Sequence, residues 1–480
     1  VPTVADRFAA LQEGLVARPP AARRTVVAIP SLNLGPDYQA RHDTTALEER
    51  WLYLALGLRD PRVRVVAVTS LPVPRASVDH YLALLADPED ARTRLTLLSP
   101  DDPSPRPLAE KLLDRPALLD ALRAAAGDPA DAVIVPFAVE GPERELALAL
   151  GIPVDGVDPR FAILGGKSEG RRVLREVGVP FGTEGGHGDA RALADVIGRL
   201  RGQRPGLAGV VVKLDRGSLG EGNAIVDLTG LPGPRDPEAT PATVRRVDET
   251  LDPAFRAALA TQPWVVEELV PGARERSPSV QLRIEPDAGV TILSTHDQRL
   301  DGPLGQTFAG ARFPADDAHG PAVAEAGRRV GASLAARGVR GRLAVDFVVG
   351  ADGTPLAVEI NLREGATTHP YGTLALLVGG GFDAATNVYR AADGAPRYYE
   401  ASDRLTAGPV ARPVDPEAFL TALREAGLAF DPRTGAGVVP HMLRALGGQG
   451  TLSLVAIGRS REEAAALYAR TGALLGRLGA

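Results

Sequence analysis

Between residues 20 and 160 the chain alternates short β-branched runs with segments of helical period. TVVAIPSL (25–32), VRVVAVTS (63–70), LTLLS (95–99) and AVIVPF (132–137) are the apolar runs. They alternate with TTALEERWLYLALGL, ASVDHYLALLA and ERELALALG, whose apolar residues recur at helical spacing. Strands alternating with helices predict a parallel sheet with crossover helices. The first strand runs into Pro30-Ser31-Leu32-Asn33-Leu34-Gly35, a candidate ligand loop, because open α/β sheets hold ligands beyond the carboxyl ends of their strands.

Past residue 165 the pattern changes. SEGRRVLREVGVPFG predicts a helix stopped by Gly178 and broken by Pro180. VVVKLDR, GNAIVDL, WVVEELV, SVQLRI, VTILSTHDQRL, LAVDFVV and PLAVEINL then read as strands, mostly joined by glycine turns. The pairs at 210–228 and 343–362 read as hairpins, the second closed by Gly350-Ala351-Asp352-Gly353, so this region is expected to be antiparallel α+β. Near residue 400 a further α+β unit is expected to begin with the helix PEAFLTALREAGL. Its hairpin runs from GVVPHMLRAL through Gly447-Gly448-Gln449-Gly450 into TLSLVAIG, and Ser460 with Glu463 forms a capping box for the last helix. LPGPRDPEATPATVRR and APRYYEASDRL read as connectors. The expected division is 1–160, 161–400 and 401–480.

Length supports that division, since 480 residues exceed what one hydrophobic core sustains. A net charge of -6 with 4% aromatic residues lacks the basic stripe and stacking platforms of a nucleic-acid binder. The absence of cysteine excludes disulfides, thiol nucleophiles and thiolate metal sites. No apolar run approaches the roughly 18 residues of a membrane span, and VPTVADRFAALQEG has no secretory pattern. The chain as written is expected to be soluble and cytoplasmic, with no nucleic-acid or membrane partner.

The basic residues are unevenly divided. Of 54, only Lys111, Lys167 and Lys213 are lysine. In an arginine-dominated chain a lysine suggests a place for a compact point charge, such as a phosphate oxygen. Lys111, in LAEKLLDRPALL, is expected on a solvated helix face. Lys213 ends a strand and precedes the glycine-rich turn of VVVKLDRGSLGEGN, which fits either a phosphate grip or a loose hairpin tip. In LAVDFVVGADGTPLAVEINLREG, Glu359 and Asn361 are two apart and share a sheet face, and the hairpin folds Asp346 beside them. Two carboxylates and an amide are oxygen ligands suited to Mg²⁺. WVVEELVPG could offer backbone groups to a purine edge, as any edge strand could.

Taken in order, Lys167, Gly178-Val179-Pro180, VVVKLDRGSLGEGN, VVEELV and VDF with VEIN resemble the ATP-grasp superfamily of carboxylate–amine ligases over about residues 150–400. PSLNLGPDYQ, VRVVAVTSLPV, RPLAEKLLDRPALL, GGKSEGRRVLREVGVP and GAGVVPHMLRALGGQGTLSLVAIGRSREEAAALY are similar to the peptide ligases of the pheganomycin type, across nearly the whole chain. The resemblance implies an N-terminal parallel-sheet (pre-ATP-grasp, Rossmann-like) domain, an ATP-grasp domain and a small α+β C-terminal domain.

It further implies ATP and Mg²⁺ as cofactors, and roles for named residues. Lys167 and Lys213 would hold the ATP phosphates, covered by Gly217, Ser218, Gly220 and Gly222. Glu267, Glu268, Leu269 and Val270 would bracket the adenine, and Glu275 would meet the ribose, although the spacing after Pro271-Gly272 departs from the family. Asp346, Glu359 and Asn361 would hold the metal. Arg283 would neutralise the transferring phosphoryl group, and Arg363 would hold a substrate carboxylate or acyl-phosphate, with His369 near it. The implied reaction joins a small carboxylic or amino acid to the amine of an amino acid or peptide through an acyl-phosphate, in specialised peptide biosynthesis; a homodimer is allowed. The residues alone leave open a phosphotransferase of the same architecture and a nucleotide-binding module without catalysis.

Overall fold

A computed structural model of the 480-residue chain describes residues 2–15, 23–33, 43–181, 183–204, 206–215, 222–270, 276–301, 307–350, 352–406 and 412–479. The first four β-branched runs form strands Arg24–Ile29, Val63–Val68, Leu95–Leu98 and Ala132–Pro136, all parallel, in the spatial order third, second, first, fourth. Helices Thr44–Glu48, which continues as a 3₁₀ helix Glu49–Arg59, and Arg75–Leu82 lie between them, and Gly141–Leu150 follows the fourth. Their apolar positions, among them Leu56, Leu82 and Leu146, are buried. The loop after the first strand is pinned: Ala109 N donates to Ser31 Oγ (3.2 Å) and Asn33 Nδ2 to Glu143 Oε2 (3.1 Å). Leu34 and Gly35 lie outside the described residues.

Lys111 departs from expectation. It sits on helix Leu108–Leu113 but is 1% exposed, its ammonium donating to Ser70 Oγ, Asp102 O and Ser104 O at 2.7–2.9 Å. Three acceptors from two other segments use all three of its protons, so burial costs it no hydrogen bond.

Helix Lys167–Glu176 ends where Gly178 takes φ 64°, a left-handed turn open to glycine. The chain then builds a small antiparallel sheet, Thr183–Gly186, Trp264–Glu268, Gly209–Leu214 and Asn223–Asp227 in that spatial order. Helices Ala190–Gln203, Ala239–Thr250 and Pro253–Thr261 supply residues to its core, where Leu193, Val210, Val212, Val247, Leu259 and Trp264 are fully buried. The second of these helices overturns the reading of 231–246 as a connector throughout. Its proline, Pro241, falls in the first turn, where no intrahelical N–H is needed.

The larger correction concerns the C-terminal boundary. Strands Pro355–Asn361, Gly341–Val349, Ser277–Ile284, Val290–Asp301, Thr307–Phe313, Tyr398–Thr406, Thr451–Gly458 and Gly437–His441 form one antiparallel sheet of eight, in that order. A division at 400 cuts strand Tyr398–Thr406, which was read as a connector. Its acidic residues are neutralised within the fold: Glu400 pairs with Arg299 and Arg312, and Asp403 with Arg50. Tyr399 stacks on Phe313 at 4.9 Å between centroids.

The C-terminal unit nevertheless has its own core, including Phe419, Leu446, Leu454 and Leu475, under helices Pro416–Glu425 and Arg461–Leu478. Strands Gly437–His441 and Thr451–Gly458 pair as expected, but a helix, Leu443–Gln449, joins them in place of a turn. Met442 enters it at φ 49°, ψ 50°. Ser460 caps the last helix through Glu463 N, while the Glu463 carboxylate accepts from Arg459 N, so the capping box is half formed.

Candidate functional site

Strand register assembles the acidic group. In the 341–361 hairpin Asp346 stands opposite Glu359 and Ala344 opposite Asn361, while on its other side Asp346 faces Ser279. Asn361 Nδ2 donates to Asp346 Oδ2 (2.8 Å) and Gln298 Nε2 to Asp346 Oδ1 (3.0 Å). Burial, and then the charge of Glu359, push the Asp346 carboxyl up to about 6. Two carboxylates crowded in a buried place disfavour joint ionisation unless a cation joins them.

The cationic group lies beside it. Lys167 opens its helix, and Arg171 stands one turn on, on the same face. Arg171 Nη2 donates to Glu267 Oε1 (2.8 Å) and Lys213 Nζ lies 2.6 Å from Glu267 Oε2, so one carboxylate sits between two cations. Burial holds the Lys167 ammonium below its usual range; Glu359 opposes that effect and Lys213 adds to it. Ser168 donates to Asp215 Oδ1 through its backbone N–H (3.3 Å) and hydroxyl (3.2 Å). Helix 167–176, the small sheet and the acidic hairpin therefore meet at one place.

The expected adenine strand divides its duties. The Glu267 side chain is spent on cations, the Glu268 side chain pairs with Arg204, and Leu269 N–H donates to Gly209 O (3.0 Å). Val270 is 8% exposed, and among the described residues its N–H has no backbone partner. An N–H without a backbone partner is open to an acceptor from outside the chain. Gly217, Ser218, Gly220 and Glu275 lie outside the described residues. Gly222 flanks the hairpin tip at φ 73°, its carbonyl accepting from Leu214 N (2.9 Å).

Arg363 lines a cleft of about 360 Å³ together with Asp346, Glu359 and Asn361, its guanidinium 5.0 Å from the Phe137 ring centroid. Arg283 is not brought there. It faces Arg342 across the strands, four residues or roughly 13 Å along from Ser279. It donates to Asp155 (2.7 Å) and Glu285 (2.9 Å). Asp155 also attracts Arg342, which lies 4.0 Å from Glu364; burial pushes the Glu364 carboxyl up to about 8 against the pull of Arg342. This group joins the N-terminal domain to the large sheet.

His369 is 4% exposed and edge-on to His441, with burial pushing its pKa well below the usual histidine value. It is a packed neutral ring 3.7 Å from Asp403. Sequence reasoning missed Arg171, Ser279, Gln298, Arg50 and Asp403. The first was signalled by its spacing of four from Lys167 and the second by its place in the alternating strand SVQLRI; the others depend on tertiary contacts.

Residues 418–471 match the family described as the PGM1 C-terminal domain. L-propargylglycine–L-glutamate ligase of Streptantibioticus cattleyicolor is 35% identical over 426 residues, covering 87% of this chain and 86% of that protein. Among solved structures, the ADP complex of N5-carboxyaminoimidazole ribonucleotide synthetase aligns at TM-score 0.54 and 12% identity, covering 95% of this chain and 98% of that one. A biotin carboxylase complex from Campylobacter jejuni aligns at TM-score 0.54 and 15% identity, covering 92% and 89%. At those identities the solved structures bear on the fold alone; the curated relative bears on family and activity. The chain belongs to the ATP-grasp carboxylate–amine ligases, related to the peptide ligases of the pheganomycin type, and is an ATP-dependent ligase that forms amide bonds.

Proposed function

We propose that this ligase activates a small carboxylic or amino acid with ATP and Mg²⁺ and joins it to the amine of an amino acid or peptide, in assembly of a peptide-like natural product. The observation that carries the reading is the meeting of Lys167, Lys213 and Glu359, from three separate elements, beside Asp346 and Asn361. The donor set fits Mg²⁺. Asp346, Glu359 and Asn361 supply oxygen alone, and among the described residues no group of three or more His, Cys, Asp or Glu is arranged for a metal. Mg²⁺ is content with one or two carboxylates because phosphate and water complete its shell. Its binding should therefore strengthen with nucleotide present. When bound it offsets charge on the phosphoryl oxygens.

The chain's own groups do the rest. Lys167 and Lys213 hold phosphate oxygens as point charges, with Glu267 and Arg171 fixing Lys213 between transfers. Val270 N–H is the donor available to a purine nitrogen. Arg363, at the mouth of the metal group, takes the role of holding the carboxylate that attacks the γ-phosphate. An acyl-phosphate and ADP result, the amine attacks the acyl carbon, and phosphate leaves. Such transfer rests on positioning and charge. The curated relative, itself a ligase, favours this reading over a phosphotransferase. An ATP-consuming step of this kind fits the cytoplasm.

Amine-dependent ADP release, first with L-glutamate and L-propargylglycine and then with a mass-scored panel of acids and peptides, tests the reading. Glu359→Gln and Lys213→Ala should each lower it by about 100-fold or more, with circular dichroism unchanged. Full activity in either folded variant sinks the site assignment. A phosphorylated product in place of an amide would favour the kinase.

A further inference from the structure

The cleft has two chemically unlike ends. One is formed by Asp346, Glu359 and Asn361, with Arg363 at its edge; the other by Arg50, Asp403 and Arg404. The lining also holds Leu32, Leu47, Phe308 and Met442 among polar residues such as Ser279, Gln298 and Thr307. The first end attracts cations and, through them, phosphate. The second attracts an anion, and nothing in the reaction as derived above uses it.

Three details build that second end. Arg50 Nη2 donates to Asp403 Oδ2 at 2.6 Å, which spends one of the five guanidinium protons, and Arg50 Nε is buried without a partner. Asp403 and Arg404 are adjacent and in a regular strand would point to opposite faces. The pairing of 398–406 with 451–458 shifts register between Ser402 and Leu405, and Arg404 N donates to Ser402 Oγ (3.3 Å). The irregularity lets both side chains line the cleft, as bulges beside active sites do. Of the other charges nearby, burial holds His369 well below the usual histidine value, and the Asp43 carboxylate, an anion, accepts from Thr45 N and Ala46 N at the start of helix 44–48. Asp403 is shared between Arg50 and Arg404, two cations against one carboxylate, and Arg50 Nε keeps a proton without a partner for an incoming anion.

We propose that the end formed by Arg50, Asp403 and Arg404 holds the free carboxylate of an α-amino acid whose amine attacks the activated acyl group. The proposal rests on the ligase reading. Fixing the carboxylate fixes the amine, which sits on the next carbon, and Leu32, Leu47, Phe308 and Met442 of the lining offer apolar contact to an uncharged side chain. The end lies on the C-terminal side of the cleft, away from Lys167 and Lys213, so the amine approaches from the side opposite the nucleotide.

The test compares L-propargylglycine with its carboxamide as the amine, at saturating MgATP and L-glutamate. The wild-type enzyme should prefer the free acid by about tenfold or more in kcat/KM. Arg404→Gln, at an exposed side chain, should raise KM for the amino acid by about tenfold with a much smaller change in kcat. It should leave KM for L-glutamate and ATP nearly as they were, and the carboxamide should be used about equally by both enzymes. Arg50→Gln with Asp403→Asn, which removes the pair without orphaning a charge, should act in the same direction. Equal losses on acid and carboxamide, or a rise in KM for L-glutamate in place of the amine, overturn the proposal. Should the wild-type enzyme condense no pair, the ligase reading has failed on those substrates. Calorimetric binding of L-propargylglycine in the presence of a non-hydrolysable ATP analogue then decides: binding weakened by Arg404→Gln supports the site, and absent or unchanged binding overturns it.

Discussion

Glu48 and Lys111 meet through one hydroxyl: Ser70 Oγ donates to Glu48 Oε1 (2.7 Å) and accepts from Lys111 Nζ (2.9 Å). Burial pushes the Glu48 carboxyl up to about 7, against the pull of the Ser70 hydrogen bonds and the Lys111 charge. The native state thus keeps a proton that the unfolded chain has already lost between pH 4.5 and 7. Stability contributed by this group is greatest below pH 4.5 and falls as pH rises to 7, then levels off. Glu48→Gln should remove that slope, so that between those limits the wild type loses about 3 kcal/mol relative to the variant. Urea unfolding of both proteins from pH 4.5 to 8 measures it, and parallel curves refute it. The rarity of lysine pointed to three residues with particular surroundings. For Lys167 and Lys213 the neighbouring sequence also disclosed what they are near. For Lys111 it could not, because its acceptors lie on Ser70 and on a loop at 102–104, and periodicity within one helix is silent about what packs on it.

Among elements, strands made of Val, Ile and Leu were legible in the sequence, and the strands made of other residues were not. Thr183–Gly186 reads TEGG, with two glycines that weaken any strand considered alone. Its partner explains it: a Cβ at Gly186 would lie 2.3 Å from the Trp264 ring, so the indole takes the room a side chain would have used. Trp264 is fully buried and donates from Nε1 to Gly188 O (2.9 Å). Gly186→Ala should therefore destabilise the small sheet by about 1–3 kcal/mol through overpacking. Its hydrogen exchange should rise while that of the large sheet holds; uniform protection in both sheets would contradict the packing account. Tyr398–Thr406 hid for another reason. Its sequence carries Glu400, Asp403 and Arg404, charges that would mark a surface segment; Arg404 is indeed exposed, and only partners on other strands and on the 3₁₀ helix 49–59 make Glu400 and Asp403 internal.

Over the whole molecule, the order of ATP-grasp elements was legible because each carries a local signature, and the division of the chain was not, because sheet continuity is a long-range property. The N-terminal domain is fastened to the large sheet by Asp155 with Arg283 and Arg342 and by Arg50 with Asp403, and to helix Thr368–Val378 by Tyr53 lying against Gly372. The C-terminal strands continue that sheet. A chain ending at residue 400 would leave Gly310 and Ala311 without Ser402 and Ala401 opposite, strip Val439, Val455 and Ile457 from the core around Phe313, and remove one wall of the cleft. It should emerge as aggregate or as a dye-binding, loosely packed species, since an unpaired apolar edge invites association. A monodisperse, ATP-binding product on size exclusion would show the two parts to be separable.

The helix Leu443–Gln449 is bounded by two strands that pair only with their own sheet, in a register set from Gly437 with Ile457 to His441 with Ser453. Its ends are thus fixed by hydrogen bonds that do not depend on what lies between them, while Met442, Ala445 and Gln449 face the cleft. On the proposed function, exchange of Met442 and Gln449, with the buried Leu443 and Leu446 kept, should alter which amines are accepted and leave ATP binding unchanged.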